Sequence, residues 1–256
     1  MAAREFSLCI PCAKRQGEGT KFATASPPEC FICRGLTLRV PSIERRVIRQ
    51  IGRYKFKTFS VGMIIPSEVQ EREDQLRSDL QVRGMETIKS QTAKEITEFV
   101  RKKTRRRVDR GHPELTVLVD LDRDEVSATA KSLFVYGRYT KPKGVSQRRE
   151  FCEKCSGAGC SECRGGYVDV PSMEEVLGRR FTKILRSSRA KFTWIGSEDT
   201  DSVVYLPGRP FIVEVKDPKS RKVPARLSLV TGRGAAKVVG GKVLKGKPTS
   251  IPSFSF

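Results

Sequence analysis

The sequence of 256 residues lacks several features on which common functional classes depend. It contains one histidine, His112, in the loop 111–113, and so gives no support for a histidine triad or a histidine-rich metal centre. A run of about 18 apolar residues, the minimum for a transmembrane helix, is absent. Residues 1–10 include Arg4 and Glu5 and lack the apolar stretch of a signal peptide, so we expect a cytoplasmic protein that does not associate with membranes.

Acidic residues are scarce: 29 Asp and Glu stand against 50 Lys and Arg, giving a net charge of +21. The excess is concentrated in residues 101–107, which we call the basic cluster, and in residues 218–256, which contain no Asp or Glu. Such surfaces bind polyphosphates by releasing condensed counterions, and neither segment has the apolar helical face of a membrane binder. Nucleic acid is therefore the favoured partner, with a solvated helix end and a disordered tail as the alternatives.

All eight cysteines lie in Cys-x-x-Cys pairs, and none is left over. The pairs are Cys9/Cys12, Cys30/Cys33, Cys152/Cys155 and Cys160/Cys163. Two such pairs complete a closed tetrahedral shell, which is typical of structural zinc, and a reducing compartment disfavours the alternative of disulfides. We predict up to two zinc ions, each held within its own quartet. Redox sites of single pairs, or a zinc-chaperone repeat around Cys152 and Cys155, are further alternatives.

The hydrophobic pattern predicts an α+β unit over about residues 51–140. Residues 54–59 alternate like a strand, and Pro66-Ser67 starts the first of two helices, the second of which runs into the basic cluster. Residues 115–121 and 126–136 alternate on either side of a turn and predict a hairpin. Before this unit, the first cysteine quartet predicts a small ribbon with little core of its own.

The second half of the chain starts with a glycine-rich cysteine knuckle at residues 152–163. Ser172 and Glu175 form a capping box that predicts a helix with an apolar stripe. Two short strands are predicted at residues 203–206 and 211–215. The loop before them contains three carboxylates, Glu198, Asp199 and Asp201, which by themselves are typical of an acidic turn.

Several segments occur in an order that resembles the archaeal and eukaryotic tRNA pseudouridine synthases carrying an N-terminal zinc and THUMP-type domain. In the second half these segments are Phe134-Val135-Tyr136-Gly137-Arg138-Tyr139, the knuckle 152–163, Glu198-Asp199-Thr200-Asp201 and Gly208-Arg209-Pro210-Phe211. In the first half they are Cys9-Ile10-Pro11-Cys12, Cys30-Phe31-Ile32-Cys33, residues 56–73 and Ile88-Lys89-Ser90.

The resemblance implies an enzyme that isomerises uridines in the T-loop of tRNA to pseudouridine without an organic cofactor. Its nucleophile would be Asp199, supported by Glu198, Asp201 and Arg209. The residues expected to bind RNA are Arg101, Lys102, Lys103, Arg105, Arg106, Arg107 and Arg138. The expected partner is the T-arm of tRNA, and the oligomeric state is left open.

The resemblance also implies the fold. We expect an α+β protein with a zinc ribbon at residues 1–50, a THUMP-type RNA-binding domain at 51–145 and a mixed α/β catalytic sheet domain at 146–256. The catalytic domain looks truncated, because from about residue 224 to 256 the sequence reads as a basic Gly/Lys-rich tail. Ser197 also stands where the family usually has arginine. The alternative function is therefore a catalytically impaired, zinc-stabilised RNA-binding protein.

Overall fold

The structure is a computed structural model that describes residues 6–17, 22–81, 86–163 and 165–248. The chain divides into two compact units, residues 1–129 and 130–256. No helix of the described residues is long and apolar enough to cross a membrane.

The first unit contains a short strand pair around the first cysteine quartet, followed by a four-stranded sheet with helices. In chain order its elements are β1 (Ser7–Leu8), α1 (Ile10–Arg15), β2 (Ala23–Thr24), α2 (Leu36–Ile51), β3 (Thr58–Ile64), α3 (Ser67–Asp79), α4 (Ile88–Thr104), β4 (Arg107–Val108), β5 (Leu115–Asp120) and β6 (Glu125–Ala130). The large sheet has the order β4-β3-β5-β6, and β3 runs parallel to both β4 and β5.

The parallel pairing of β3 and β5 requires the crossover that α3 and α4 supply. Phe59 and Met63 of β3 are buried, whereas Ile64, which directly follows Met63, is exposed. The predicted sequence of strand, two helices and hairpin is confirmed, but the first strand begins at Thr58 rather than at residue 54. Tyr54 instead precedes the strand, and its hydroxyl donates a 2.8 Å hydrogen bond to the Ala128 carbonyl.

The expected ribbon at residues 1–50 differs from the structure, because its last third is the helix α2. This helix buries Val40, Ile43 and Val47 and packs against α4 and β5 of the large sheet. Its apolar stripe at helical spacing therefore belongs to the core of the α+β layer. The cysteine quartet is joined to that layer and does not form a separate module.

The predicted hairpin was also too long at its second strand. The returning strand β6 ends at Ala130, and after two intervening residues β7 begins at Leu133 in the sheet of the second unit. Alternation of apolar and polar residues continues across this junction, so the pattern alone does not show where one sheet ends and the next begins.

The second unit is a five-stranded antiparallel sheet with one helix on one face. Its elements are β7 (Leu133–Lys141), α5 (Met173–Leu185), β8 (Arg189–Trp194), β9 (Val204–Lys216), β10 (Arg226–Thr231) and β11 (Gly234–Leu244), in the sheet order β10-β11-β7-β9-β8. The capping box is confirmed, since the Ser172 hydroxyl accepts from the Glu175 amide at 3.2 Å. The apolar stripe of α5 buries Leu177 and Phe181 against the sheet.

Two expectations for this unit were wrong. The two predicted short strands are one strand, β9, in which Gly208 has a φ of +86° and leaves room for the Tyr139 backbone. The expected basic tail contains β10 and β11, and only residues 249–256 lie outside the described part of the chain. Leu227 and Val238 of this hairpin are buried in the core, an alternation that the surrounding lysines and glycines obscure in the sequence.

Candidate active site and cysteine clusters

The first cysteine cluster consists of four buried thiols whose sulfur atoms lie within 4.8 Å of one another. Its members are Cys9, Cys12, Cys30 and Cys33. All four are free, and the Sγ atoms of Cys9 and Cys33 are 3.7 Å apart. Four sulfurs placed tetrahedrally at about 2.3 Å from a zinc ion would be about 3.8 Å apart, so this cluster fits a metal ion of that size.

The second cluster has the same spacing but is less buried. Its members are Cys152, Cys155, Cys160 and Cys163. The Sγ distances are 3.9 Å for Cys152 and Cys160 and 3.7 Å for Cys155 and Cys163. Backbone amides of Gly159 and Gly166 donate to the sulfurs of Cys155 and Cys163, as is common for thiolate ligands. Each predicted quartet is therefore brought together separately, and both could hold a metal ion.

A buried charge network ties the first cluster to the helices. Arg15 donates to the Cys12 sulfur at 2.8 Å and approaches Glu73 of α3 at 3.5 Å. The Glu73 carboxylate also accepts from the Ile88 amide at the start of α4 and lies 3.4 Å from Arg77. Local sequence does not indicate this network, because its central link, between Arg15 and Glu73, joins residues 58 positions apart.

The three predicted carboxylates lie on the loop 195–203, between β8 and β9. The Glu198 side chain is 7% exposed, forms an ion pair with Arg209 and accepts from the Ser202 hydroxyl at 2.9 Å. Asp199 and Asp201 are exposed. Among the described residues none hydrogen-bonds the Asp199 carboxylate, so this side chain is available to a ligand while its neighbour Glu198 is fixed.

The loop backbone is held by Lys141, at the end of β7. Its ammonium group is buried and donates to the carbonyl oxygens of Asp199 at 2.7 Å, Ser202 at 2.6 Å and Val145 at 2.8 Å. Burial lowers the pKa of Lys141, and the negative charges of the nearby loop carboxylates oppose this shift. A cation that is satisfied by carbonyl oxygens fixes the position of the loop without using the Asp199 carboxylate.

Gln147 holds the other end of the loop. Its side-chain amide donates to the Tyr139 hydroxyl at 2.8 Å and to the Gly196 carbonyl at 3.3 Å. Tyr139 is fully buried, with its ring 5.4 Å from that of Trp194 and 6.1 Å from that of Phe211. Burial raises the pKa of Tyr139 to about 12. The loop is thus anchored near Gly196 to the aromatic core through Gln147, and at Asp199 and Ser202 to Lys141.

Comparison with known proteins identifies the family. Residues 43–120 match the family model described as the archaeal Pus10 THUMP domain, and residues 134–231 match the model described as the Pus10 C-terminal region. The chain belongs to the Pus10 family. The matched C-terminal region contains the loop 195–203 with Lys141 and Gln147, and the matched THUMP region contains the basic cluster at the end of α4.

Curated members of the Pus10 family are similar to most of this chain. The protein named tRNA pseudouridine synthase Pus10 of Nitrosopumilus maritimus is 34% identical over 86% of this chain and 58% of its own length. The protein of the same name from Cenarchaeum symbiosum is 34% identical over 95% of this chain and 62% of its own. That of Halorubrum lacusprofundi is 30% identical over 87% and 54%. This Pus10-family chain therefore spans about 60% of the length of these relatives.

The predicted RNA-binding residues of the Pus10-family chain fall into two places. The basic cluster forms the last turn of α4 and the start of β4, where cations also suit the helix dipole. Within it Arg101 pairs with Glu98, and Lys103 lies 5.8 Å from the centre of the Phe99 ring. Arg138 lies on β7 in the other unit, where its Nε donates to the carbonyl oxygen of Gly208.

Sequence reasoning missed Lys141 and Gln147. One signal was present: alternate residues of β7 face the core, and Lys141 continues the inward series that includes Val135 and Tyr139. A lysine at an inward position of a strand is unusual enough to mark a functional or structural partner. Gln147 carries no comparable signal, because it lies in an irregular segment.

Proposed function

We propose that this chain acts as a tRNA pseudouridine synthase, with Asp199 as the nucleophile. The observation that carries the proposal is the loop itself. Lys141 and Gln147 hold its backbone, Glu198 is engaged by Arg209, and the Asp199 carboxylate is exposed and without a hydrogen-bond partner among the described residues. A reactive carboxylate on a fixed backbone is the arrangement that nucleophilic catalysis requires.

The reaction is an isomerisation. The bond between C1′ of the ribose and N1 of uracil breaks, the base rotates, and a bond forms between C1′ and C5. C5 loses its proton and N1 gains one, so no electrons are exchanged and no organic cofactor is needed. Asp199 reacts as a carboxylate, and the uridine must leave its stack, which costs a few kcal/mol that contacts to the flanking phosphates offset.

Arg209 takes the part of the missing loop arginine. The resemblance places an arginine at the position of Ser197, and the ion pair of Glu198 with Arg209 brings a guanidinium to the same loop from β9. Gly196 allows this approach, since a side-chain Cβ there would lie 3.3 Å from Nη1 of Arg209. The half-exposed guanidinium can contact both Glu198 and an RNA phosphate.

The substrate is proposed to be tRNA, bound through its T-arm, with uridines of the T-loop as targets. The basic cluster and Arg138 provide the cations for phosphate contacts. The two cysteine clusters are proposed to hold structural zinc, because four thiolates leave no position for substrate. We place the protein in the cytoplasm, where the free thiols and the tRNA substrate are both expected.

A catalytically impaired RNA-binding protein is the second candidate, and Ser197 is the observation that favours it. The loop lacks its own arginine, and the half-exposed guanidinium that reaches it from another strand, that of Arg209, pairs with Glu198, the neighbour of the reacting carboxylate. Both candidates bind RNA, and they differ in whether Asp199 forms product.

The test is pseudouridine formation on a tRNA transcript, measured by mass spectrometry of the digested RNA. We expect product with the wild type and a loss of about 10³-fold or more with Asp199→Asn. Glu150→Gln, which removes an exposed carboxylate of the same unit outside the loop, should change the rate less than 10-fold, or by less than about 1.4 kcal/mol.

No product from the folded, metal-loaded wild type would refute the enzyme. Equal rates for the wild type and Asp199→Asn would refute the role of Asp199. RNA binding without product would favour the second candidate.

A further inference from the structure

The sheet of the second unit has one face covered by α5 and another that carries cations. Leu227 and Leu229 of β10 and Val238 of β11 are buried in the core on the α5 face. Side chains alternate along a strand, so Arg226 and Lys237, next to these residues, point to the opposite face. Both are exposed.

Strand register brings a third cation to this face. Arg226 of β10 is opposite Val239 of β11, and Val239 is opposite Arg138 of β7. Adjacent strands are about 4.8 Å apart, so the backbones of Arg226 and Arg138 are separated by about 10 Å in one cross-strand row. Lys237 precedes Val239 by two residues and faces the same way. Three cations thus form a compact group.

These cations line a groove that leads to the candidate catalytic loop. A cavity of about 630 Å³ is lined by the three cations and by Leu206. A second cavity, of about 250 Å³, shares Leu206 and Lys237 and is also lined by Tyr205 and Lys141. None of the described residues that line either cavity is acidic. Val203, the last residue of the loop 195–203, also lines the second cavity, so the groove reaches that loop.

The loop end of the groove exposes apolar side chains. Tyr205 is 77% exposed and Leu206 is 62% exposed, although both belong to β9, and aromatic residues are normally far more buried. An exposed aromatic ring next to a set of cations is the combination that binds single-stranded nucleic acid, by stacking on a base and contacting the backbone. An acidic protein bound in the groove would contact the cations, but its binding would not require the exposed ring of Tyr205.

We propose that this groove binds the single-stranded RNA that flanks the nucleotide presented to Asp199. Arg226 and Lys237 contact its phosphates, and Tyr205 stacks on one of its bases. The inference rests on the proposed function for the identity of the reacting nucleotide. It adds the path of the RNA, which crosses β11 towards β10, and the residues that determine the affinity for RNA.

The test compares the full-length chain with Arg226→Ala/Lys237→Ala. Binding of a tRNA transcript is measured by fluorescence anisotropy at several salt concentrations. Loss of two phosphate contacts should reduce the slope of log affinity against log salt by about 1.5 and raise KM more than it lowers kcat. Tyr205→Ala should weaken binding about 10-fold, and Tyr205→Phe, which keeps a ring, should not. Arg180→Ala/Lys183→Ala, which removes two exposed cations of α5, is the charge-matched control.

The outcomes separate this inference from the proposed function. If the wild type modifies tRNA while the double variant keeps the wild-type salt slope and KM, the groove is wrong and the enzyme stands. If the slope depends on Arg226 and Lys237 but no pseudouridine forms, the groove stands as an RNA site and the enzyme is refuted. If the wild type does not bind the transcript, both are refuted.

Discussion

The ammonium group of Lys141 lies 2.7 Å from the backbone carbonyl oxygen of Asp199. The interaction is with the main chain of the residue proposed to react, so it positions the carboxylate without occupying it. Lys141 is 1% exposed, and its other partners are also carbonyl oxygens, from Ser202 within the loop and from Val145 just after β7. One buried side chain therefore holds the acidic part of the loop against the end of β7.

Replacing Lys141 by methionine should release the loop. The substitution keeps the volume but leaves several carbonyl groups without a donor, so the free energy of unfolding should fall by about 2–4 kcal/mol. The turnover rate should fall by about 10²-fold because the carboxylate is misplaced, while KM changes little. Urea unfolding and single-turnover kinetics measure the two effects. Lys143→Met, at an exposed position nearby, should change neither quantity, and full activity in Lys141→Met would contradict the positioning role.

The ion pair between Glu198 and Arg209 should couple the two residues in a double-mutant cycle. Arg209→Ala leaves a mostly buried carboxylate without its cation and should cost about 1–2 kcal/mol of stability. In the presence of Glu198→Gln the same substitution should cost less, with a coupling of about 1 kcal/mol because Arg209 is half exposed. Arg209→Lys keeps the charge and is the control. Additive effects in chemical denaturation would show that the pair does not stabilise the loop.

The zinc ions proposed for the two cysteine clusters should be released at different rates. The first is buried throughout, whereas three of the four cysteines in the second are partly exposed, so a chelator should remove metal from the second cluster first. Cys12→Ser and Cys160→Ser should each lower the metal content by one ion per chain. Elemental analysis measures the content, and a colorimetric chelator follows the release. Equal release rates from the two single-cluster variants would contradict the difference in burial.

Loss of the first metal should disturb more than residues 1–50. Arg15 connects Cys12 to Glu73, and Glu73 connects to the start of α4. Hydrogen exchange in Cys12→Ser should therefore increase in α3 and α4 as well as around the cysteines. Increased exchange restricted to residues 1–50 would support the separate module that the sequence suggested.

Tyr139 should make stability fall at alkaline pH. Its pKa in the folded protein, about 12, lies above the value of about 10 for an exposed tyrosine. The contribution of the neutral Tyr139 hydroxyl to the free energy of unfolding is therefore fully present below pH 10. It is lost as the pH rises towards 12, which lowers the free energy of unfolding by about 2 kcal/mol. The stability difference between the wild type and Tyr139→Phe should narrow by this amount in urea unfolding between pH 9 and 11.5. A difference that stays constant over this range would show that the hydroxyl is not buried.

The sequence by itself predicted the features that depend on neighbouring residues. Cysteine spacing gave the two quartets, Ser172 and Glu175 gave the start of α5, and apolar alternation gave β5. Each signal can be read from short spacings along the chain: two residues between the cysteines of a pair, three positions from Ser172 to Glu175, and every second position in β5. The same holds for the basic cluster, whose charge density and helical position follow from local sequence.

Tertiary structure alone decided which sheet each strand joins and what surrounds the loop 195–203. The alternation that continues from β6 into β7 carries no information about partners, and the hairpin of β10 and β11 is recognisable only from its buried face against α5. Lys141 meets Asp199 across 58 positions of sequence, through hydrogen bonds to main-chain oxygens that any residue could provide. The contact therefore cannot be predicted from the side chain of the acceptor residue, because the position of the folded backbone determines it.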